Sequence, residues 1–156
     1  MGVEISRILT TNSTGEPTRT FRGGDRIVFR LEFSAAEIPT STPVQVRFHI
    51  RQLLRHGIGS GDRFRSVYVP MHFWKFDLTI DPGSWHAWTT WVLPDSEPAV
   101  GSMTMSEWQD LIFRDHWKMR SWAGPWDVTG FVGFTEPPRE GQFDHSRERW
   151  VYEIWY

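Results

Sequence analysis

The chain has 156 residues, a net charge of −2 and no cysteine, which excludes a disulfide framework, a thiolate zinc site and a cysteine nucleophile. Charged residues make up 23% and apolar residues 39%, the balance of a globular protein able to bury a core without cross-links. No apolar run reaches the length of a membrane-spanning helix, and no lysine cluster marks a nucleic-acid surface.

Ten tryptophans are out of proportion to this size. Each brings roughly 150–250 Å² of surface to a core, and any left outside needs a purpose. Charge is uneven as well. Residues 1–75 hold 11 Lys/Arg against 6 Asp/Glu, and residues 76–156 hold 6 against 13. Interleaved strands would pair these charges across a sandwich. Segregated halves would give a bipolar surface suited to self-association or an acidic partner. Met1 to Thr10 lacks a basic start followed by an apolar run, so no secretory signal is expected and a cytoplasmic location is.

Glu4–Leu9 reads as a first strand, and the polar stretch Thr10–Thr20, with Gly15 and Pro17, as a connecting loop. Gly23-Gly24-Asp25 is a turn. It opens the clearest strand, in which Ile27, Phe29, Leu31 and Phe33 alternate with Arg26, Val28, Arg30 and Glu32. After a Ser/Thr/Pro loop from Ala35 to Pro43, Val44, Val46, Phe48 and Ile50 alternate with Gln45, Arg47, His49 and Arg51. Gly57 to Asp62 is a glycine-rich turn. It leads into more strand and not into a helix N-terminus, so it lacks the geometry of a phosphate loop.

Arg65–Val69 and Phe73–Ile80 read as two strands divided at Pro70, followed by an Asp81-Pro82-Gly83 turn and a strand over Trp85–Leu93. Thr104-x-x-Glu107 has the form of a capping box and predicts a helix over 105–120, with Trp108, Leu111, Ile112 and Met119 on one face. Asp127–Phe134 and Arg149–Tyr156 are the last strands, separated by a Pro137-Pro138…Gly141 loop. Strands do not alternate with helices, so a parallel α/β sheet is not expected. The expectation is one domain over 1–156: a mainly β, immunoglobulin-like, two-sheet antiparallel β-sandwich with one inserted helix, with a β-barrel as the alternative.

Two segments carry a family resemblance. Phe21-x-x-Gly24-Asp25-x-Ile27-x-Phe29-x-Leu31-x-Phe33, followed by Pro43-Val44-x-Val46-x-Phe48-x-Ile50, is similar to the opening of immunoglobulin-like modules. It most resembles the carbohydrate-binding domain at the C-terminal end of the ABC-transporter ATPases that export O-antigen polysaccharide. Gly124-Pro125-Trp126-Asp127-Val128 resembles that group's penultimate strand entry, and Asp144-His145 with Trp150-x-Tyr152-x-Ile154 its closing strand. The resemblance covers the two ends of the chain and implies a sandwich fold and a saccharide ligand. The middle, residues 64–123, departs from the pattern, and no ATPase domain or Gly-x-x-x-x-Gly-Lys motif is present, so transport is not implied.

The first candidate site is the tryptophan group Trp74, Trp85, Trp88, Trp91, Trp108, Trp117, Trp122 and Trp126. Indoles stack on the C–H faces of sugars while neighbouring polar groups bond the hydroxyls. The polar partners expected for such a platform are Arg47, His49, His72 and His86. Most of these indoles are expected in the core. Trp88 and Trp91, three residues apart on a strand, must face opposite ways.

A second candidate is the outer face of one sheet. If Val44, Val46, Phe48 and Ile50 face in, then Arg47, His49 and Arg51 face out. If Trp150, Tyr152 and Ile154 face in, then Val151, Glu153 and Trp155 face out beside them. Such a face suits a glycan or a second subunit.

A third candidate is catalytic. His72 and His86 flank a hairpin-like unit holding Asp77 and Asp81, His116 adjoins Asp115, and Asp144-His145 lies on a loop. Carboxylate pairs for glycoside cleavage would come from Asp77, Asp81, Asp95, Glu107 or Asp127, most of them read as surface or turn residues. No histidine spacing matches a metal motif, and neither a metal nor a cofactor is expected. The leading reading is a non-catalytic module for a saccharide or similar amphipathic ligand. The alternatives are a small biosynthetic cyclase, lyase or hydrolase with a Trp-lined pocket, and a structural or homo-oligomeric assembly subunit.

Overall fold

A computed structural model describes residues 2–57, 64–97 and 122–156. Nine strands lie among them: β1 (Gly2–Thr11), β2 (Thr20–Arg22), β3 (Arg26–Ala36), β4 (Thr42–Gly57), β5 (Phe64–Ile80), β6 (Gly83–Val92), β7 (Gly124–Phe134), β8 (Phe143–His145) and β9 (Trp150–Trp155). They form two sheets. The smaller has the order β1-β3-β6, and the larger β2-β9-β7-β4-β5, with β8 added beside β7. All ladders are antiparallel except the short β2/β9 pair, which is parallel. The mainly β sandwich expected from the alternation is the architecture found. The helix expected over 105–120, and most of the turn expected over Gly57–Asp62, lie outside the described residues.

Period-2 alternation builds the core. Ile27, Phe29, Leu31 and Phe33 of β3 and Val44, Val46, Phe48 and Ile50 of β4 are all buried, and the residues between them face out or lie partly exposed. Fully burying each such side chain is worth roughly 1.5–3 kcal/mol. From β7 and β9, Trp126, Val128, Val132, Tyr152 and Ile154 join the same core. At Gly130 the two sheets come close together: a Cβ placed there would meet Leu31 Cδ1 at 2.5 Å and Ile8 Cδ1 at 3.0 Å.

Three sequence expectations need correction. Pro70 does not divide two strands, because β5 runs unbroken from Phe64 to Ile80. The ladder partners step from Ile50↔His72 to Arg51↔Pro70, leaving Met71 as a bulge. A bulge on an outer strand is where a sheet accepts a residue with no N–H to donate. Nor do the segments bearing His72 and His86 form a hairpin. β5 pairs with β4 and β6 with β3, so the Asp81-Pro82 turn carries the chain from one sheet to the other. The Asp81 carboxylate steadies this crossing by accepting from the Ser41 backbone N–H at 2.8 Å, and its carbonyl accepts from Trp85 Nε1 at 2.8 Å. Lastly, the expected loop over Thr10–Thr20 is shorter. β1 runs to Thr11, Thr11 bridges Pro17, and the chain enters β2 at Thr20.

Among the described residues, no helix is long and apolar enough to cross a membrane, and no group of three or more potential ligating side chains is placed to hold a metal.

Candidate functional site

The register of the larger sheet fixes its outer face. Arg47 lies opposite Phe131, His49 opposite Thr129 and Arg51 opposite Asp127, and Asp127 in turn lies opposite Val151. Beyond them, Glu153 pairs with Pro125 and with Thr20, and Arg22 pairs with Trp155. Phe21 and Ile154 point into the core, so Thr20, Arg22, Glu153 and Trp155 point out together.

These last residues, with Gly23, Asp95 and Tyr156, line a groove of about 780 Å³. Trp155 is 53% exposed and Tyr156 41%, so both rings present faces to solvent. The groove wall is tied together by backbone bonds: Gly23 N donates to Trp155 O at 2.9 Å, Gly24 N to Pro94 O at 3.1 Å, and Leu93 N to Asp25 O at 2.8 Å. The Asp25 carboxylate accepts from Arg22 N at 2.8 Å. At Gly23 a Cβ would lie 2.5 Å from the Tyr156 ring and 3.0 Å from Asp95 O, so a larger residue there would displace the Tyr156 side chain. Partial burial, then the negative charges of Glu97 and Asp95, raise the Tyr156 phenol above its ordinary pKa. The groove thus combines an indole, a phenol, a guanidinium and two carboxylates, Asp95 and Glu153. Flat apolar faces alternate with hydrogen-bonding groups of both kinds.

The opposite end of the same face is aromatic and cationic. Phe131 and Phe143 stack with centroids 4.6 Å apart, and the Arg47 guanidinium lies 4.7 Å from the Phe131 centroid. Arg47 Nε donates to Gln45 Oε1 at 2.7 Å. His49 sits between Arg47 and Arg51. Burial first, then the two positive charges, lowers its pKa below the ordinary value. Between the ends, the Ser146–Arg149 turn separates a cleft on this face, beside Arg51 and Thr129, from one on the β1 side, beside Ile5–Ile8 and Trp150. Ser146 locks this turn to β7: Gly130 N donates to Ser146 Oγ, and Ser146 N to Gly130 O, each at 2.9 Å.

The residues expected to form one ligand platform are distributed over several surfaces. Trp126 is fully buried, its Nε1 donating to Trp122 O at 2.8 Å, so it is a core residue. Trp91 packs inward against it, with centroids 5.4 Å apart, and Trp122 closes a triad of indoles. Trp74 packs inward beside Phe29, and Trp85 is partly buried against the core. Trp88 and His86 are exposed, but on the outer face of the smaller sheet, opposite Arg30 and Glu32. Arg47, His49 and Trp155 belong to the outer face of the larger sheet. The backbone of His72 lies on β5 opposite Ile50, and its side chain is outside the described set, as are Trp108 and Trp117. β5 and β6 belong to different sheets, so the described members of the expected platform do not share one face.

The sequence reading did not single out Arg22 or Tyr156 as site residues and counted Asp95 only among carboxylates for glycoside cleavage; the parallel β2/β9 pairing brings Arg22 beside Trp155. It also placed Asp127 among surface candidates. Asp127 is fully buried, held by Arg51 at 3.1 Å.

No protein family matches the sequence, and no curated protein does. Among solved structures, the C-terminal domain of Wzt aligns over 98% of this chain and 73% of that one, at 8% identity and a TM-score of 0.54. The Pseudomonas fluorescens alkylpurine DNA glycosylase AlkC, solved bound to DNA containing an abasic site analog, aligns over 99% of this chain and 30% of its own at 12% identity. The sporulation control protein Spo0M from Bacillus subtilis aligns over 100% and 50% at 13% identity. With TM-scores of 0.46 and 0.42, these two do not bear on the fold. The resemblance seen in the two ends of the chain therefore holds for the fold as a whole: the described strands are arranged like those of the C-terminal domain of Wzt.

Proposed function

We propose that this chain is a single, non-catalytic binding domain for a saccharide or similar amphipathic ligand, seated in the groove on the outer face of the β2/β9 pair. The observation that carries the reading is the pairing of Trp155 with Arg22 and of Glu153 with Thr20 on one outward face, with Tyr156 and Asp95 completing the walls. A pyranose face stacks on the exposed indole. Its hydroxyls donate to Glu153 and Asp95 and accept from Arg22. The fold likeness to the C-terminal domain of Wzt supports the same reading. The alternative of a small enzyme draws less support. Among the described residues, the carboxylate whose pKa is raised, Asp127, is closed off from solvent and held by Arg51.

The test is tryptophan emission titrated with a panel of neutral, amino and acidic oligosaccharides. At least one should shift the emission of the wild-type protein, and Trp155→Ala should remove the response without changing the melting temperature. Silence across the panel, or a Trp155→Ala response equal to wild type, sinks the reading.

A further inference from the structure

The two clefts on either side of the Ser146–Arg149 turn are lined by five guanidinium groups, those of Arg7, Arg19, Arg51, Arg147 and Arg149, and by one carboxylate, Glu148. Their volumes are about 450 and 570 Å³. Arg7, Arg51 and Arg147 pair with carboxylates, and in each pair the acid is the recessed member. Side-chain exposure is 59% for Arg7 against 24% for Glu32, 30% for Arg51 against 0% for Asp127, and 67% for Arg147 against 16% for Asp144. The acids stand behind the bases and hold them, while the cationic edges face solvent.

Arg19 is fixed in another way. Its guanidinium lies 3.5 Å from the centroid of Trp150, and Nη1 donates to Val151 O at 3.0 Å. The turn itself is pinned, since Asp144 Oδ2 also accepts from Ile5 N at 2.7 Å across to the other sheet. This is a rigid, cation-fronted surface beside the start of β9, whereas the Trp155 groove lies at its other end.

The geometry points to a carboxylated saccharide as the ligand. Uronic-acid carboxylates sit among the arginines at the Ser146–Arg149 turn, and a sugar several units along the same chain stacks on Trp155. From Trp150 to Trp155, β9 advances five steps of about 3.3 Å, roughly 17 Å along the strand, a span for a short oligosaccharide. This inference rests on the saccharide-binding reading and adds the charge of the ligand to it.

The experiment titrates the full chain with hexagalacturonate, with maltohexaose as the neutral probe and a single-stranded DNA hexamer as a non-saccharide polyanion. The proteins are wild type, Arg147→Gln/Arg149→Gln, and Arg26→Gln as an exposed arginine on the other sheet, with a circular-dichroism melt to show that each is folded. Hexagalacturonate should bind wild type and Arg26→Gln alike, weaken at least about tenfold in the double variant, and weaken as salt is raised. The inference is overturned if hexagalacturonate binds the double variant as it binds wild type, or binds no better than maltohexaose. It is overturned equally if the DNA hexamer binds as tightly and loses the same factor, which would mark a general polyanion surface. Binding of maltohexaose that is lost in Trp155→Ala but untouched by the arginine changes would leave the function standing and remove the acidic ligand alone. If no saccharide binds, both fall.

Discussion

Arg51 of β4 and Asp127 of β7 face each other on the outer side of the larger sheet, with Nε 3.1 Å from Oδ1 and Nη2 3.3 Å from Oδ2. The two partners are unequal. The carboxylate has no solvent exposure, while the guanidinium side chain retains 30%. Burial raises the Asp127 pKa above its ordinary value even though the charge and hydrogen bonds of Arg51 pull it down. Asp127 is therefore the group that needs the pair, because Arg51 can still reach water without it.

The consequence is an asymmetry between the two deletions. Arg51→Gln strands a buried carboxylate and should cost about 3–5 kcal/mol at neutral pH. Asp127→Asn leaves only a partly solvated cation and should cost much less. The sign with pH follows from the raised pKa. The folded state takes up the proton before the unfolded chain does, so this group's stability contribution grows as pH falls from the raised value toward the ordinary one. Without Arg51 that window extends upward. The deficit of Arg51→Gln should thus shrink between pH 8 and pH 5 in urea unfolding. A deficit that is equal in both variants, or constant with pH, would contradict the account.

His49 gives the opposite sign. Burial first, and then the charges of Arg51 and Arg47, lowers its pKa below the model-compound value of 6.5. The folded state resists protonation, so this residue's contribution is present above that value and is lost as pH falls through it toward the lower folded pKa. An NMR titration of the imidazole should give a midpoint under 6.5, and Arg47→Gln should move it upward. A midpoint at or above the ordinary value would contradict the account, and one indifferent to Arg47 would leave burial and Arg51 as the causes.

What was legible in the sequence was parity. The alternation from Ile27 to Phe33 and from Val44 to Ile50 assigned every inward side chain of those runs correctly, because a half-buried strand has only two faces. The same parity placed Trp155 outward from Trp150, Tyr152 and Ile154. Pairing over long range was not legible. Thr20–Arg22 is too short to show a period, yet its parallel ladder with β9 brings Arg22 beside Trp155. Parity also misleads where a face is covered. Asp127 points away from the core set of β7 and is nonetheless fully buried. The indoles were ambiguous for the same reason, since Trp126 and Trp155 differ in partner strands and not in residue type.

Those two indoles should separate cleanly in a stability measurement. Trp126 is fully buried, stacks edge-to-face with Trp91, and donates to Trp122 O. Trp126→Ala should cost about 3–5 kcal/mol. Trp155→Ala removes an exposed ring and should stay within about 0.5 kcal/mol of wild type. The emission spectrum checks the same assignment, because losing Trp155 should blue-shift what remains and losing Trp126 in a folded protein should not. Comparable destabilisation by the two changes would mean that Trp155 is structural and is not available to a ligand.

Gly130 tests how the sheets meet. The methyl group of Gly130→Ala would stand 2.5 Å from Leu31 Cδ1 and 3.0 Å from Ile8 Cδ1, both from the opposite sheet. Both neighbours are buried branched side chains in the core, so neither swings aside without disturbing others. The expected cost is about 1–3 kcal/mol of overpacking. If the clash with Leu31 is the cause, shortening that side chain should relieve it. Gly130→Ala combined with Leu31→Val should then be less destabilising than the two single changes added together, as read from urea unfolding in a double-mutant cycle. Strict additivity would place the strain elsewhere, in the β4/β7/β8 ladders or in the Ser146 bonds to the Gly130 backbone. In that case Ser146→Ala, and not Leu31→Val, would be the change that couples to Gly130→Ala.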